Sequence, residues 1–215
     1  MTTLEERVRA PLIVHSTAAY FTGRSLMVAY LRLWHRLRWE GNEHLPKSGG
    51  FLIVSNHQSF LDIPVLAVAA RPRHVAFVAR ATLARSRFLD WLMRESGCVL
   101  IRPNTPDRAA LEGMIAHLAG GDIVAVFPEG TRTSDGALGV FRAGAAVAAR
   151  RAGVPIVPAA IRGAFEAWPR DRKLPRRARI TVRFAAPIPP GTEDAIERAK
   201  DVIAGMVGDG RAADR

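Results

Sequence analysis

The sequence is poor in cysteine, in lysine and in long apolar runs, and each scarcity excludes something. Cys98 is the only cysteine in 215 residues, which excludes an intrachain disulfide framework and a Cys-rich zinc site. A reducing compartment is expected. No stretch approaches the ~20 apolar residues that a bilayer-spanning helix needs. The longest uncharged segments, Ala10 to Gly23 and Ser48 to Leu61, fall well short of that length. Glu5 and Glu6 precede Arg7 and Arg9, and no long apolar core with a small-residue cleavage site follows, so a secretory signal is not expected either. Lysine is confined to Lys47, Lys173 and Lys200 among 31 basic residues; the rest are arginine. With 20 acidic residues the net charge is still +11, which suits an anionic partner: nucleic acid, a phospholipid surface or an acidic carrier protein. Charge alone does not choose among them.

What is present is a globular composition. A hydrophobic fraction of 48% with 24% charged residues excludes a mainly disordered chain, and 18 Gly and 14 Pro are scattered without a collagen-like period. The length fits one domain with a short appendage. From about Pro11 to Arg38 the pattern is helical, with Gly23 as a possible division into two helices. Leu26, Tyr30, Leu33 and Leu37 are spaced as one apolar stripe, and Arg32, His35 and Arg36 gather on another face. Trp34 and Trp39 among arginines suit a helix lying at a membrane surface, and an ordinary packing helix would show the same stripe.

Beyond it, strand and helix patterns alternate. Strands are expected at 51–54, 75–78, 98–101, 123–127, 155–161 and 179–184, with helices at 63–70, 83–96, 106–118, 141–152 and 193–207. The alternation predicts an α/β fold with a buried, mixed sheet flanked by helices. The division expected is an N-terminal helical segment over 1–38, a single α/β domain over 39–207 and a frayed tail over 208–215. No internal repeat is visible.

Three loops carry residues suited to chemistry. Asn56-His57-Gln58-Ser59-Phe60-Leu61-Asp62 sits where a strand gives way to a helix, with Pro64 in that helix's first turn. Five helical steps would leave His57 and Asp62 roughly 140° apart, so the pair meets only if the segment is partly a turn. A carboxylate accepting the Nδ1 proton of an imidazole fixes its tautomer and leaves Nε2 as a general base. A structural turn histidine beside a helix-capping aspartate has the same sequence. The second loop, Phe127-Pro128-Glu129-Gly130-Thr131-Arg132, follows a buried strand, and Arg132 suits a phosphate. The third, Gly97-Cys98-Val99-Leu100-Ile101-Arg102, puts another arginine at a strand end; Cys98 itself reads as core packing.

In their order along the chain, these blocks and Val154-Pro155-Ile156-Val157-Pro158 give a sequence that resembles the 1-acyl-glycerol-3-phosphate acyltransferases, within the glycerolipid acyltransferase family. The resemblance runs from about Trp39 to Ile161 and includes Glu40-Gly41-Asn42-Glu43-His44-Leu45-Pro46. It implies that His57 deprotonates the free hydroxyl of a lysophospholipid, that Asp62 orients His57, and that the resulting oxygen attacks an acyl-CoA or acyl-carrier-protein thioester. It assigns Glu129, Gly130, Thr131 and Arg132 to the acceptor, with the arginine on its phosphate, and the Pro158 block to the acyl-chain side. Asn56, Arg80 and Arg108 are supporting candidates. Neither metal nor organic cofactor is implied. The chain departs from the family pattern at Arg102, which stands where an acidic residue is usual, with Pro103 where the arginine is usual; Arg108 is a substitute for the phosphate role. Arg80 replaces a common lysine and Thr133 a serine.

The resemblance implies phosphatidic acid as product, made from lysophosphatidic acid at the cytoplasmic face of the membrane by a peripheral, monotopic enzyme without a transmembrane helix. Helices before Trp39 and the basic loop from Arg170 to Arg179 would meet anionic lipid. Two alternatives stand beside it. One is the same chemistry on a lyso-ornithine lipid, another lysophospholipid or a glycolipid; the other is a non-enzymatic nucleic-acid-binding protein. No zinc spacing, RNP-like block or helix-turn-helix signature supports the latter, and no nucleic acid is expected as a partner.

Overall fold

The computed structural model describes residues 18–70, 73–80, 99–101 and 107–208. The expected helix over 83–96, Cys98, Arg102 and residues 1–17 and 209–215 lie outside the described residues. In chain order the elements are α1 (Ala18–Trp34), β1 (Arg38–Glu40), a 3-10 turn (Asn42–His44), β2 (Phe51–Ser55), α2 (Asp62–Ala69), β3 (Val75–Arg80), β4 (Val99–Ile101), α3 (Asp107–Ala119), β5 (Ile123–Val126), α4 (Gly144–Ala152), β6 (Ile156–Arg162), the single-turn α5 (Ala164–Ala167), β7 (Thr181–Phe184) and α6 (Ala195–Gly208). The expected α/β alternation is present, and from β2 onward the shared elements start and stop within three residues of the sequence reading.

The strands form one seven-stranded sheet in the order β1-β7-β6-β2-β5-β3-β4. It is mixed: β6 and β7 are antiparallel, and all other neighbours are parallel. β2 lies at the centre, paired with β5 in the register Phe51↔Ile123 and with β6 in the register Leu52↔Ile156. All five of its residues are buried, as an apolar run covered on both faces requires. Phe51 and Ile53 face a core built with α1, α2 and α5, whereas Leu52 and Val54 face a second core built with α3, α4 and α6. The layers are therefore helix, sheet, helix.

The N-terminal helix differs from its expected form. It stops at Trp34 rather than Arg38, because the backbone turns through Arg36 at φ 48 and enters β1 beside β7. Neither glycine nor proline marks that turn in the sequence. Leu31 is fully buried and Val28 packs beside it, so the face that meets the core runs through positions 28, 31 and 35. His35, expected on a basic outer face, is completely buried, with Nε2 3.0 Å from the Tyr30 hydroxyl. Burial lowers its pKa. The expected apolar stripe is split: Leu37 is buried and Tyr30 packs against the core, whereas Leu26 is 66% and Leu33 77% exposed, with Met27 and Trp34 also exposed on adjoining positions.

Candidate functional site

The parallel pairing of β2 with β5 brings the loops after both strands to the same carboxyl edge, although His57 and Glu129 are 72 positions apart. In open α/β sheets ligands sit in the crevice beyond that edge. Asn56 fixes the exit from β2. Its amide donates to the Ile161 carbonyl and accepts from the Ile161 N–H, each at 2.8 Å, which imitates one more rung of the β2–β6 ladder.

The chain then turns around Asp62. Its Oδ2 accepts from Gln58 N–H at 2.6 Å and Ser59 N–H at 2.7 Å, and lies 2.8 Å from His57 Nδ1. Three donors on one oxygen of a completely buried carboxylate curl residues 57–62 into a turn, which is how a pair with poor helical registry meets. Asp62 therefore does not cap its own helix: the N-cap position is Leu61, without a side-chain cap bond. With Nδ1 committed to the carboxylate, the ring presents Nε2, and the His57 side chain is 18% exposed. Phe127 stacks on the imidazole with centroids 4.2 Å apart and planes 16° apart.

The second loop locks onto the first through backbone. Glu129 Oε1 accepts the His57 N–H at 2.8 Å and Oε2 accepts the Gly139 N–H at 3.0 Å, while Thr133 N–H donates to the His57 carbonyl at 2.9 Å. Both Glu129 oxygens are thus engaged with backbone. Burial raises its pKa, against the lowering effect of those two N–H groups. Gly130 turns at φ 71 and donates to the Phe127 carbonyl at 3.0 Å. At Gly139 a Cβ would come within 2.8 Å of Glu129 Oε2, so any larger residue there would push the carboxylate aside.

Arg132 points its charge over the same mouth. Its Cζ lies 3.4 Å from the Phe60 ring centroid, and its Nη1 is buried without a hydrogen-bond partner. Burial first, then the nearby positive charge of Arg170, lowers its pKa, and Asp62 acts in the opposite sense. Phe60 leans on Trp168, centroids 5.1 Å apart, and Ser59 Oγ donates to the Trp168 carbonyl at 2.8 Å.

Of the site residues read from sequence, His57, Asp62, Asn56, Glu129, Gly130 and Arg132 converge. Thr131 is exposed on the same loop. Pro158 is buried inside β6 opposite Val54, three positions before Ile161. Arg80 is the last residue of β3, at the same carboxyl edge. Arg108 is exposed in the first turn of α3 and has no hydrogen bond or ion pair to the His57 loop. Arg102 lies outside the described residues. Sequence reasoning missed roles for Gln58, whose buried amide donates to the Gly136 carbonyl at 3.1 Å, and for Gly139, Phe60 and Trp168. Gln58 and Phe60 stood inside the block already singled out; nothing local marks Gly139 or Trp168.

This geometry occurs within a stretch matched by a family model. Residues 36–162, more than half of the chain, match the model described as Acyltransferase. The chain is 34% identical over 139 residues to a chloroplastic 1-acyl-sn-glycerol-3-phosphate acyltransferase of Arabidopsis thaliana, covering 63% of this chain and 38% of that protein. It is 30% identical over 210 residues to a 1-acyl-sn-glycerol-3-phosphate acyltransferase of Chlamydomonas reinhardtii, covering 92% of this chain and 62% of that one. The chain thus spans less than two thirds of the length of these relatives. Its fold superposes on the crystal structure of the 1-acyl-sn-glycerophosphate acyltransferase PlsC from Thermotoga maritima with a TM-score of 0.68 and 25% identity, over 92% of this chain and 83% of that one. By its matched sequence and its fold, this chain belongs to the acyltransferase family.

Proposed function

We propose that the protein transfers a fatty acyl group from an acyl thioester to the free hydroxyl of lysophosphatidic acid, giving phosphatidic acid. The observation that carries this reading is the His57–Asp62 pair, 2.8 Å apart at the carboxyl edge of the sheet, with Arg132 beside it. His57 Nε2 accepts the acceptor hydroxyl's proton as its oxygen forms a bond to the thioester carbonyl carbon. The tetrahedral intermediate expels the thiolate, which takes the same proton back from His57. The proton count closes, and direct attack needs no acyl-enzyme and no metal. Asp62 holds the Nδ1 tautomer and balances the positive charge that the ring acquires. Acyl-CoA or acyl-carrier protein serves as donor, and Arg132 meets the acceptor phosphate.

The reading includes a membrane surface. Among the described residues no helix is long and apolar enough to cross a membrane. The exposed face of Leu26, Met27, Leu33 and Trp34 on α1 supports peripheral attachment at the cytoplasmic face, where the acceptor is dissolved.

The test is release of free thiol from a long-chain acyl-CoA with and without lysophosphatidic acid, using wild type and His57→Ala and identifying the lipid formed. Acceptor-dependent release that yields phosphatidic acid and vanishes in the variant is the expected result. Release indifferent to acceptor, or retained by His57→Ala, would sink the assignment. A parallel series with carrier-protein donor and with lyso-ornithine lipid or glycolipid acceptors separates the same chemistry on another headgroup.

A further inference from the structure

Two hydrogen bonds hold His57, and neither fixes the plane of its ring. The backbone N–H donates to Glu129 Oε1 at 2.8 Å, and Nδ1 lies 2.8 Å from Asp62 Oδ2. A hydrogen bond keeps most of its strength until its angle closes below about 150°, so a ring tied only at Nδ1 can roll by about 30° and carry Nε2 with it. The remaining restraint is on the ring face. Phe127 lies on it nearly in parallel, centroids 4.2 Å apart and planes 16° apart. Phe127 is itself anchored. It directly follows β5, its side chain packs against the core that α1, α2 and α5 cover, and its carbonyl accepts the Gly130 N–H at 3.0 Å. Pro128 comes next and keeps the Phe127 backbone out of the helical region. The plane of the imidazole is thereby referred to the sheet and its core.

We propose that Phe127 is a positioning residue: its ring face sets the plane of the His57 imidazole, and so aims Nε2 at the acceptor hydroxyl. This rests on the reading of His57 as the general base. The effect needs a flat group, because an aliphatic side chain of similar volume fills the same space without favouring one ring plane. A second contribution has the same source. The imidazole becomes cationic when it takes the hydroxyl proton, and the negative face of the Phe127 ring attracts that charge until the proton passes to the thiolate. Phe127 exchanges no proton and touches neither substrate. An interaction that grows as the proton moves is stronger in the transition state than in the ground state, so its loss appears in kcat rather than in KM.

Phe127→Leu against Phe127→Tyr separates a flat face from mere filling. In thiol release from acyl-CoA with lysophosphatidic acid, Phe127→Leu should lower kcat about tenfold, less than the hundredfold or so that a misplacement of about 1 Å costs, with both KM values within about twofold. Phe127→Tyr should keep kcat within about threefold of wild type. Urea unfolding identifies variants that have lost structure, and Phe127→Met repeats the comparison should the leucine variant unfold. A folded Phe127→Leu protein with wild-type kcat would overturn the proposal, and so would a Phe127→Tyr protein as slow as Phe127→Leu. The second readout needs no turnover. The His57 ring protons lie in the shielding zone of the Phe127 face, so proton NMR of the full chain should show them upfield in wild type and Phe127→Tyr and shifted downfield in Phe127→Leu. Their signals are identified by their loss in His57→Ala. Ring protons that stay in place in folded Phe127→Leu would also overturn the proposal. A wild type whose shielded ring protons depend on Phe127 but which transfers no acyl group supports the fixed ring plane and overturns the acyl-transfer reading instead.

Discussion

Asp62→Asn tests the chemistry most directly, because the substitution keeps the shape of the turn and removes its charge. Oδ2 accepts from Gln58 N–H, Ser59 N–H and the His57 ring, so an asparagine whose oxygen takes that place retains all three acceptor contacts. What it loses is the counter-charge to the imidazolium that forms during transfer. Two unit charges about 4 Å apart interact by about 4 kcal/mol at an effective dielectric of about 20. At about 1.36 kcal/mol per decade that is about three decades in kcat. The chain supplies its own control in His117 and Asp122, which repeat the spacing and the geometry, Nδ1 lying 2.9 Å from Oδ2. That pair sits at the opposite edge of the sheet, where α3 turns into the start of β5. Thiol release from acyl-CoA should therefore fall about a thousandfold in Asp62→Asn and stay at the wild-type rate in Asp122→Asn. Urea unfolding of both variants separates lost chemistry from lost structure. A folded Asp62→Asn protein within tenfold of wild-type kcat would refute the argument, as would an equal loss in Asp122→Asn.

Glu129→Gln should cost about 1–3 kcal/mol in urea unfolding, since its NH₂ must face one of the two N–H groups that the carboxylate now accepts. The difference should also titrate: burial raises the Glu129 pKa above 4.5, so the stability contributed by the native carboxyl is fully present below that value and declines as pH rises through the raised pKa. Unfolding at stepped pH should show the advantage of wild type over Glu129→Gln shrinking in that window; a growing advantage would contradict the sign. Gly139→Ala should lower kcat by displacing the Glu129 carboxylate, whereas Gly144→Ala, where a Cβ meets nothing within 4 Å, should leave it unchanged, both read by thiol release. Leu33→Ser with Trp34→Ser should weaken binding to anionic liposomes more than turnover of a detergent-dispersed acceptor, and undiminished liposome sedimentation would remove α1 from the membrane surface.

The second His–Asp pair shows how much of the site local sequence can carry. His57 with Asp62 and His117 with Asp122 share one spacing and nearly one distance. The two differ in where they fall relative to strand direction, and alternation of strand and helix makes that direction readable. What alternation does not disclose is adjacency. β5 lies beside β2 and β6 on its other side, pairings between strands about 70 to 100 positions apart that no short-range pattern encodes. β1 was missed because Arg38-Trp39-Glu40 is a polar edge segment with no strand signature. His35 was misplaced because its burial depends on Tyr30 and on the chain near Ile180, which a helical projection does not contain. Phe60 and Trp168 belong to different loops, and only the fold makes them one shelf.

The two halves of the site are held by different forces, and the difference bears on how the family's chemistry and its substrate choice are separated. Around His57 the restraints are backbone hydrogen bonds at both ends of the loop: Asn56 to Ile161, His57 N–H to Glu129, His57 carbonyl to Thr133 N–H, and the Asp62 carboxylate beneath. Three of these bonds come from the side chains of Asn56, Glu129 and Asp62, so the loop and the Nδ1 end of the imidazole stay fixed as long as those three residues are kept. On the acceptor side the guanidinium of Arg132 rests on a ring that is itself 46% exposed. Cation–π contacts of this kind contribute about 0.5–1 kcal/mol at exposed sites, far less than the buried network opposite. Replacing Phe60 therefore should disturb Arg132 while leaving the His57–Asp62 pair in place, which acceptor-dependent thiol release by Phe60→Ala would show as a raised KM with little change in kcat.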